Sequence, residues 1–262
     1  MWPDIVAQSY NVTKNYGNPG CGNFYIFHKA TNVLLSNKVK NTDTVIIQWT
    51  EPNRTDYINE NGDWVCLGSL TSEQLTKAKL DFLISDKTSI IKTLTYMVNL
   101  INLLENTGCK WYFMFMSPDS MVYSNEISKL FIDTTLSYFY NSLIKKLSLY
   151  KNHFIDSKTM TDFFRSKKMP IKNCYYVDND KKMQHYHDDH PLTNYTLMYI
   201  KEIVSLKILD LNIVKMEEYV DEVMTNFDFQ TQINLIMLEK RLSTNQKLLN
   251  FKKALDCRND YE

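Results

Sequence analysis

The sequence lacks an excess of either charge: 30 Lys and Arg stand against 30 Asp and Glu, a formal net charge of zero at pH 7. Phosphate neutralisation needs clustered basic residues. Here they are interleaved with acids, so DNA, RNA and anionic lipid surfaces drop as leading partners. No run approaches the ~20 uninterrupted apolar residues that cross a bilayer, and the opening Met1-Trp2-Pro3-Asp4 lacks the basic and apolar regions of a secretory leader. No membrane role is expected. The five cysteines (Cys21, Cys66, Cys109, Cys174, Cys257) are odd in number and include no Cys-x-x-Cys pair, which excludes the usual zinc and redox spacings. They read as free thiols of a reducing compartment, hence a cytoplasmic protein.

What is present is apolar material. Hydrophobic residues make up 44% and aromatics 13% of the 262 residues, enough to bury a sizeable core and to exclude global disorder. The chain is also rich in Asn, Lys, Ile and Tyr, a bias that AT-rich codons produce, pointing to a viral or AT-rich bacterial genome.

Trp2 to Tyr10 suits a short helix with Pro3 near its start. Asn11 to Tyr16 reads as a short strand, broken by the turn Gly17-Asn18-Pro19-Gly20-Cys21-Gly22-Asn23 before a helix over Phe24 to Leu35. The β-branched run Asp43 to Trp49 reads as a strand buried on both faces of a parallel sheet. Thr50 to Ser69 reads as a long polar loop, and loops of that length are more often functional than idle. A helical region opens at Thr71, a long helix is expected over Ser89 to Asn106 with Gly108 as its stop, and Lys110 to Met116 reads as a second buried strand with Met114 and Met116 in the core. Helix is expected around Asp133 to Tyr150, a shorter strand at Asn173 to Val177, and a helix over Leu192 to Ile208 after Pro191.

Alternating strands and helices imply a parallel sheet covered by helices, with its ligand site beyond the carboxyl ends of the strands. The glycine turn and the loops at Trp49, Ser117 and His190 would open on that rim. From Asp210 onward strand signals vanish. The expected organisation is an α/β domain over residues 1–208 and a helical appendage over 209–262 that mediates docking or oligomerisation.

Three of the five histidines lie in His185-Tyr186-His187-Asp188-Asp189-His190. This fits H-x-H-x-D-H, the zinc-binding pattern of metallo-β-lactamase-like hydrolases. That family draws on further histidines downstream, and none follows His190; a complete ligand shell is therefore not visible.

The end of the same segment supports another reading. Asp188-Asp189-His190-Pro191-Leu192 resembles the acid-histidine block of SGNH (GDSL-type) hydrolases, in which the histidine before a proline is the general base. Asn15-Tyr16-Gly17-Asn18-Pro19-Gly20 is similar to that family's N-x-G-x-x-G block, and Val45 to Asn53 to the strand and loop that deliver its asparagine. Trp2-Pro3-Asp4-Ile5-Val6-Ala7 resembles the helix between the nucleophile block and the glycine block, so the order agrees over residues 2–208; Ile47 to Arg54 looks closest to phage and other viral members. The resemblance implies a three-layer α/β/α fold with a flavodoxin-like parallel sheet. It also implies ester hydrolysis, foremost deacetylation of a glycan or other acylated small molecule, without metal or organic cofactor. His190 would be the base, Asp188 the acid orienting it, and Gly20 with Asn53 the oxyanion donors.

The departures are specific. The family's G-D-S serine belongs N-terminal to Trp2, where this sequence has only Met1; His187, not an acid, stands three residues before His190; and Thr50-Glu51-Pro52 precedes Asn53 in place of a glycine. A non-catalytic viral binding or assembly protein that keeps the fold is the alternative. Each residue also has a plainer account. His190, Asp188 and Asp189 suit helix capping, Gly20 suits a turn with positive φ, and Asn53 suits a loop bonded to its own backbone. Trp49, Trp64 and Arg54 suit either an aromatic and cationic wall for a sugar or acyl group, or core packing.

Overall fold

A computed structural model describes residues 2–18, 20–69, 85–132, 134–167, 172–177, 183–188, 193–208 and 210–225, with 67–69, 119, 172–177 and 183–188 described through their backbone. The helix expected from Thr71, the loop at His190 and all residues after 225 lie outside these. In order, the elements are helices α1 (Trp2–Ala7) and α2 (Asn23–Leu35), strands β1 (Thr44–Trp49), β2 (Arg54–Ile58) and β3 (Trp64–Ser69), helix α3 (Asp86–Thr107) and strand β4 (Lys110–Phe115). Helices α4 (Asn125–Lys129) and α5 (Ser137–Ser148), strand β5 (Phe154–Ile155), helix α6 (Met160–Ser166), strands β6 (Lys172–Val177) and β7 (Met183–Asp188) and helix α7 (Thr193–Glu202) follow. Residues 213–225 are also helical. The chain divides into two units, Tyr16–Asp162 and Met1–Asn15 with Phe163–Glu262; α6 spans the boundary.

The first unit is built on a parallel sheet in the order β1-β4-β5. β1 and β4 pair from Thr44↔Lys110 to Trp49↔Phe115, and β4 meets β5 at Phe113↔Phe154 and Met114↔Ile155. Side chains alternate across a strand, so one sheet face presents Ile47 and Trp49 with Trp111, Phe113, Phe115 and Phe154. These form one buried cluster with Leu94, Ile101 and Leu104 of α3 and Tyr140, Leu143 and Leu147 of α5. The protein is thus of mixed α/β class. β1 pairs only with β4 among the described strands, and Val45 and Ile46 are accordingly half-buried, not enclosed on both faces as the β-branched run suggests. Met114 is fully buried, while Met116, just past the strand, is half-buried.

Helix α3 forms where the periodicity places it. Ser85 caps its start by accepting from the Thr88 amide at 3.2 Å, and Gly108 ends it at φ 67°, the left-handed conformation glycine adopts without a Cβ penalty.

One expectation fails, and another holds as a strand but not as part of a parallel sheet. Thr50–Ser69 is not a loop but mostly an antiparallel hairpin, Arg54↔Ser69 to Ile58↔Trp64, with a register shift between Thr55 and Asp56. Its turn is closed by the Asn59 side chain, which accepts from the amides of Asn61 (3.0 Å) and Asp63 (2.8 Å), with Gly62 at φ 83°. Asn173–Val177 does form strand, but β6 pairs antiparallel with β7 and joins no parallel sheet among the described residues. Residues 11–16 form no strand; Val12 is 80% exposed.

In the second unit, Phe163 packs edge-on against Tyr199 of α7 at 5.5 Å. Ion pairs join Lys167 to Glu202 (2.9 Å) and Lys201 to Glu217. The Tyr10 hydroxyl donates to Asp210 (3.3 Å) and the Asn212 amide donates to Ser9 Oγ (2.8 Å). α7 ends at Glu202 and gives way to a 3-10 turn, Val204–Leu206, earlier than the expected Ile208. Among the described residues no helix is long and apolar enough to cross a membrane.

Candidate functional site

The polar residues of the first unit converge at the carboxyl end of β1. Asn23, the first residue of α2, is buried and completely engaged. Its Nδ2 donates to the Thr50 carbonyl (3.0 Å) and to Thr93 Oγ1 of α3 (3.1 Å), while its Oδ1 accepts from the Thr50 amide (3.0 Å). One amide side chain thereby ties the glycine turn, the end of β1 and helix α3 together.

Asp56 makes the second tie. Its Oδ1 accepts from the Gly22 amide at 2.6 Å and its Oδ2 from the Tyr25 amide at 3.0 Å. A carboxylate from the hairpin therefore satisfies orphan donors at the start of α2, where negative charge is favoured. The register shift beside Asp56 accompanies this aim, since bulges re-orient side chains. Gly22 is required by space: an added Cβ would stand 2.5 Å from the Arg54 carbonyl oxygen and 2.8 Å from Asp56 Oδ2.

A third tie is covalent. Cys21 and Cys66 form a disulfide with Cα atoms 4.9 Å apart, which corrects the expectation of five free thiols. The pairing arises because β3 and the glycine turn meet; nothing in the spacing of 45 residues announces it. Cys109 is free and buried. Cys21, Asp56 and Cys66 are the one group of metal-type donors found close together among the described residues. The sulfurs are bonded to each other, and each carboxylate oxygen already accepts one amide.

Beside these ties lies a cavity of about 290 Å³, near the lower end of small-molecule sites, lined from α2 by Asn23 and Phe24, from the loop and β2 by Pro52, Arg54, Thr55 and Asp56, and from α3 by Thr88, Ser89, Lys92, Thr93 and Tyr96. Phe24 stacks toward Tyr96 at 6.0 Å and meets Trp64 edge-on at 5.2 Å. The Tyr96 hydroxyl titrates above its ordinary range, first because burial disfavours the phenolate and second because the Asp56 charge repels it. Arg54 Nε lies 3.8 Å from Glu51 Oε2, an ion-pair distance but too long for a hydrogen bond, and Nε is buried without a hydrogen-bond partner.

At the same end of the sheet Ser117 Oγ donates to Glu51 Oε1 (3.4 Å) and lies 3.1 Å from Ser120 Oγ, which accepts from the Ser117 amide. After β5, Asp156 accepts from the Tyr123 hydroxyl at 3.1 Å. Burial, then the Asp156 charge, drives the Tyr123 pKa strongly upward.

Of the residues singled out from sequence, Gly20 sits exposed in the turn before α2 at φ 76°, and Asn53 is exposed in the turn before β2, its carbonyl accepting from Thr55 Oγ1 at 3.4 Å. Arg54 opens β2 and lines the cavity. Trp49 does not: it is fully buried, edge-on to Phe113 at 5.4 Å, and belongs to the core. Asp188 is the last residue of β7, with backbone partner Lys172. His190 lies outside the described residues. His185 and His187 of the H-x-H-x-D-H segment occupy β7, opposite Tyr175 and Asn173.

Sequence reasoning missed Asn23, Asp56 and Lys92. Only Asn23 carried a local signal, as a helix-initiating residue after Gly22. Comparison of the chain with protein-family models, with curated proteins and with solved structures finds no match in any of the three.

Proposed function

We propose that this chain is an SGNH-hydrolase-like protein that binds a small-molecule or glycan ester and whose chemistry is ester hydrolysis. In this reading the β1-β4-β5 sheet is part of a three-layer, flavodoxin-like domain over residues 1–208, with 209–262 as a helical appendage for docking. The observation that carries it is the joining of the glycine turn to the loop after β1, through Asn23 with Thr50 and Gly22 with Asp56. This supports a shared rim for Gly20 and Asn53, the two groups assigned to the oxyanion, at the strand end where α/β proteins bind ligands.

In the family's Ser-His-Asp mechanism, whose serine is not among these residues, His190 would take the proton of the serine hydroxyl and pass it to the leaving alkoxide, and water activated by His190 would then hydrolyse the acyl-serine. Asp188 would hold the imidazolium, and Gly20 N–H and Asn53 Nδ2 would stabilise the tetrahedral oxyanion. No serine of these residues matches the family's nucleophile motif; the second reading is a virus-encoded binding protein that retains the fold.

The two separate on p-nitrophenyl acetate. As an esterase the chain hydrolyses it above the buffer rate, and His190→Ala lowers that rate at least about 100-fold. Equal rates for the two proteins abandon hydrolysis and leave the binding protein. Stoichiometric zinc in the purified chain, lost together with activity in His185→Ala, would favour a metal hydrolase over both.

A further inference from the structure

We propose that the cavity between α2, α3 and the start of β2 is a binding site for the anionic group, a carboxylate or a phosphate, of a small-molecule ligand, held by Arg54 and Lys92. This goes beyond the hydrolase reading, because it holds whether or not an ester is cleaved.

Donors and acceptors around the cavity do not balance. The acceptors lining it are largely committed: both Asp56 oxygens accept backbone amides, and Asn23 Oδ1 accepts the Thr50 amide. Asn23 Nδ2 is committed as well, to Thr50 and Thr93. The cationic groups on its lining are Arg54 and Lys92. Arg54 Nε is buried with no hydrogen-bond partner and lies 3.8 Å from Glu51 Oε2, while its side chain keeps 24% exposure. Lys92 is exposed on the second turn of α3 and lines the same cavity.

The Asp56 carboxylate lines the same cavity, with its oxygens directed to the Gly22 and Tyr25 amides at the start of α2. Thr88 and Ser89 bring the first turn of the 22-residue helix α3, its positive end, to the same wall. An incoming carboxylate or phosphate would meet the accessible part of the Arg54 side chain, and guanidinium suits both groups in two-point geometry. Phe24 and Tyr96 give the remainder of the ligand an aromatic face.

The test is calorimetric titration of the full chain at low ionic strength with glucuronate, glucose 6-phosphate and methyl glucoside as probes. At least one of the two anionic sugars is expected to bind, with the neutral glycoside at least about tenfold weaker; Lys92→Ala and Arg54→Gln should each weaken the anion about tenfold, the loss expected for one charge-assisted hydrogen bond. Lys92→Glu should weaken it further, with a near-ultraviolet spectrum like that of the wild type showing that the fold survives. Preference between the two anions identifies carboxylate or phosphate as the group bound. Equal affinity for the neutral glycoside, no binding of either anion, or unchanged binding in both Lys92 variants would overturn the site.

Discussion

Two glycines of one turn are glycine for different reasons. Gly20 has φ 76° and nothing within 4 Å of an added Cβ, so its constraint is conformational. Gly22 has an ordinary φ of −98°, so its constraint is the hairpin that presses on it. Gly20→Ala should cost about 1 to 2 kcal/mol, the penalty of a left-handed alanine. Gly22→Ala forces the Arg54 carbonyl and Asp56 away from α2 and should cost about 1 to 3 kcal/mol as overpacking, plus the capping bonds lost. Urea midpoints read both, and amide exchange separates them: faster exchange at Gly22 and Tyr25 is expected only for the Gly22 variant. Equal exchange in the two variants would remove the steric account.

At the scale of elements, the β2–β3 hairpin is a two-stranded ribbon, too small to be stable alone. It is held to the unit by Asp56 on α2, by Trp64 against Phe24, Tyr25 (5.2 Å) and His28 (5.0 Å), and by the Cys21–Cys66 disulfide. Closing a loop over a sequence separation of 45 restricts the unfolded chain, and the chain-entropy relation puts this at about 4 kcal/mol. Reduction with dithiothreitol, or Cys21→Ser with Cys66→Ser, should lower unfolding stability by roughly that amount and change Trp64 fluorescence. Peptide mapping without reductant should recover residues 21 and 66 in one cross-linked species; two free thiols there, with unchanged stability on reduction, would reject the clasp.

For the whole molecule, buried tyrosines set the alkaline limit. Burial lifts Tyr140 from 10.0 to about 12, and raises Tyr123 and Tyr199 as well. Below pH ~10 both the folded and the unfolded chain carry these phenols neutral, and they contribute no pH dependence. Above it the unfolded chain ionises while the folded chain keeps its protons, so stability falls as pH rises through 10 toward 12 and beyond. Tyr123 and Tyr140 lie in one unit and Tyr199 in the other, so both should weaken. Urea midpoints that decline from pH 9 to 11, together with delayed tyrosinate absorbance at 295 nm, are expected; a flat profile would mean that these hydroxyls meet water.

Much of the sheet is legible in one dimension. The apolar runs of β1 and β4, the helical spacing of α3 and the stop at Gly108 are local patterns, and local patterns are carried by neighbouring residues alone. The hairpin was obscured because its strands are short, half-polar and bonded only to each other. The tertiary structure alone decided which groups meet, Asn23 with Thr50, Gly22 with Asp56 and Cys21 with Cys66, and that Arg54 and Lys92 line one cavity. The first three contacts join segments 27 to 45 residues apart, and the cavity lies between helices whose faces are chosen by packing. Hydrophobic periodicity says that a face is buried; only chain closure in three dimensions says against what.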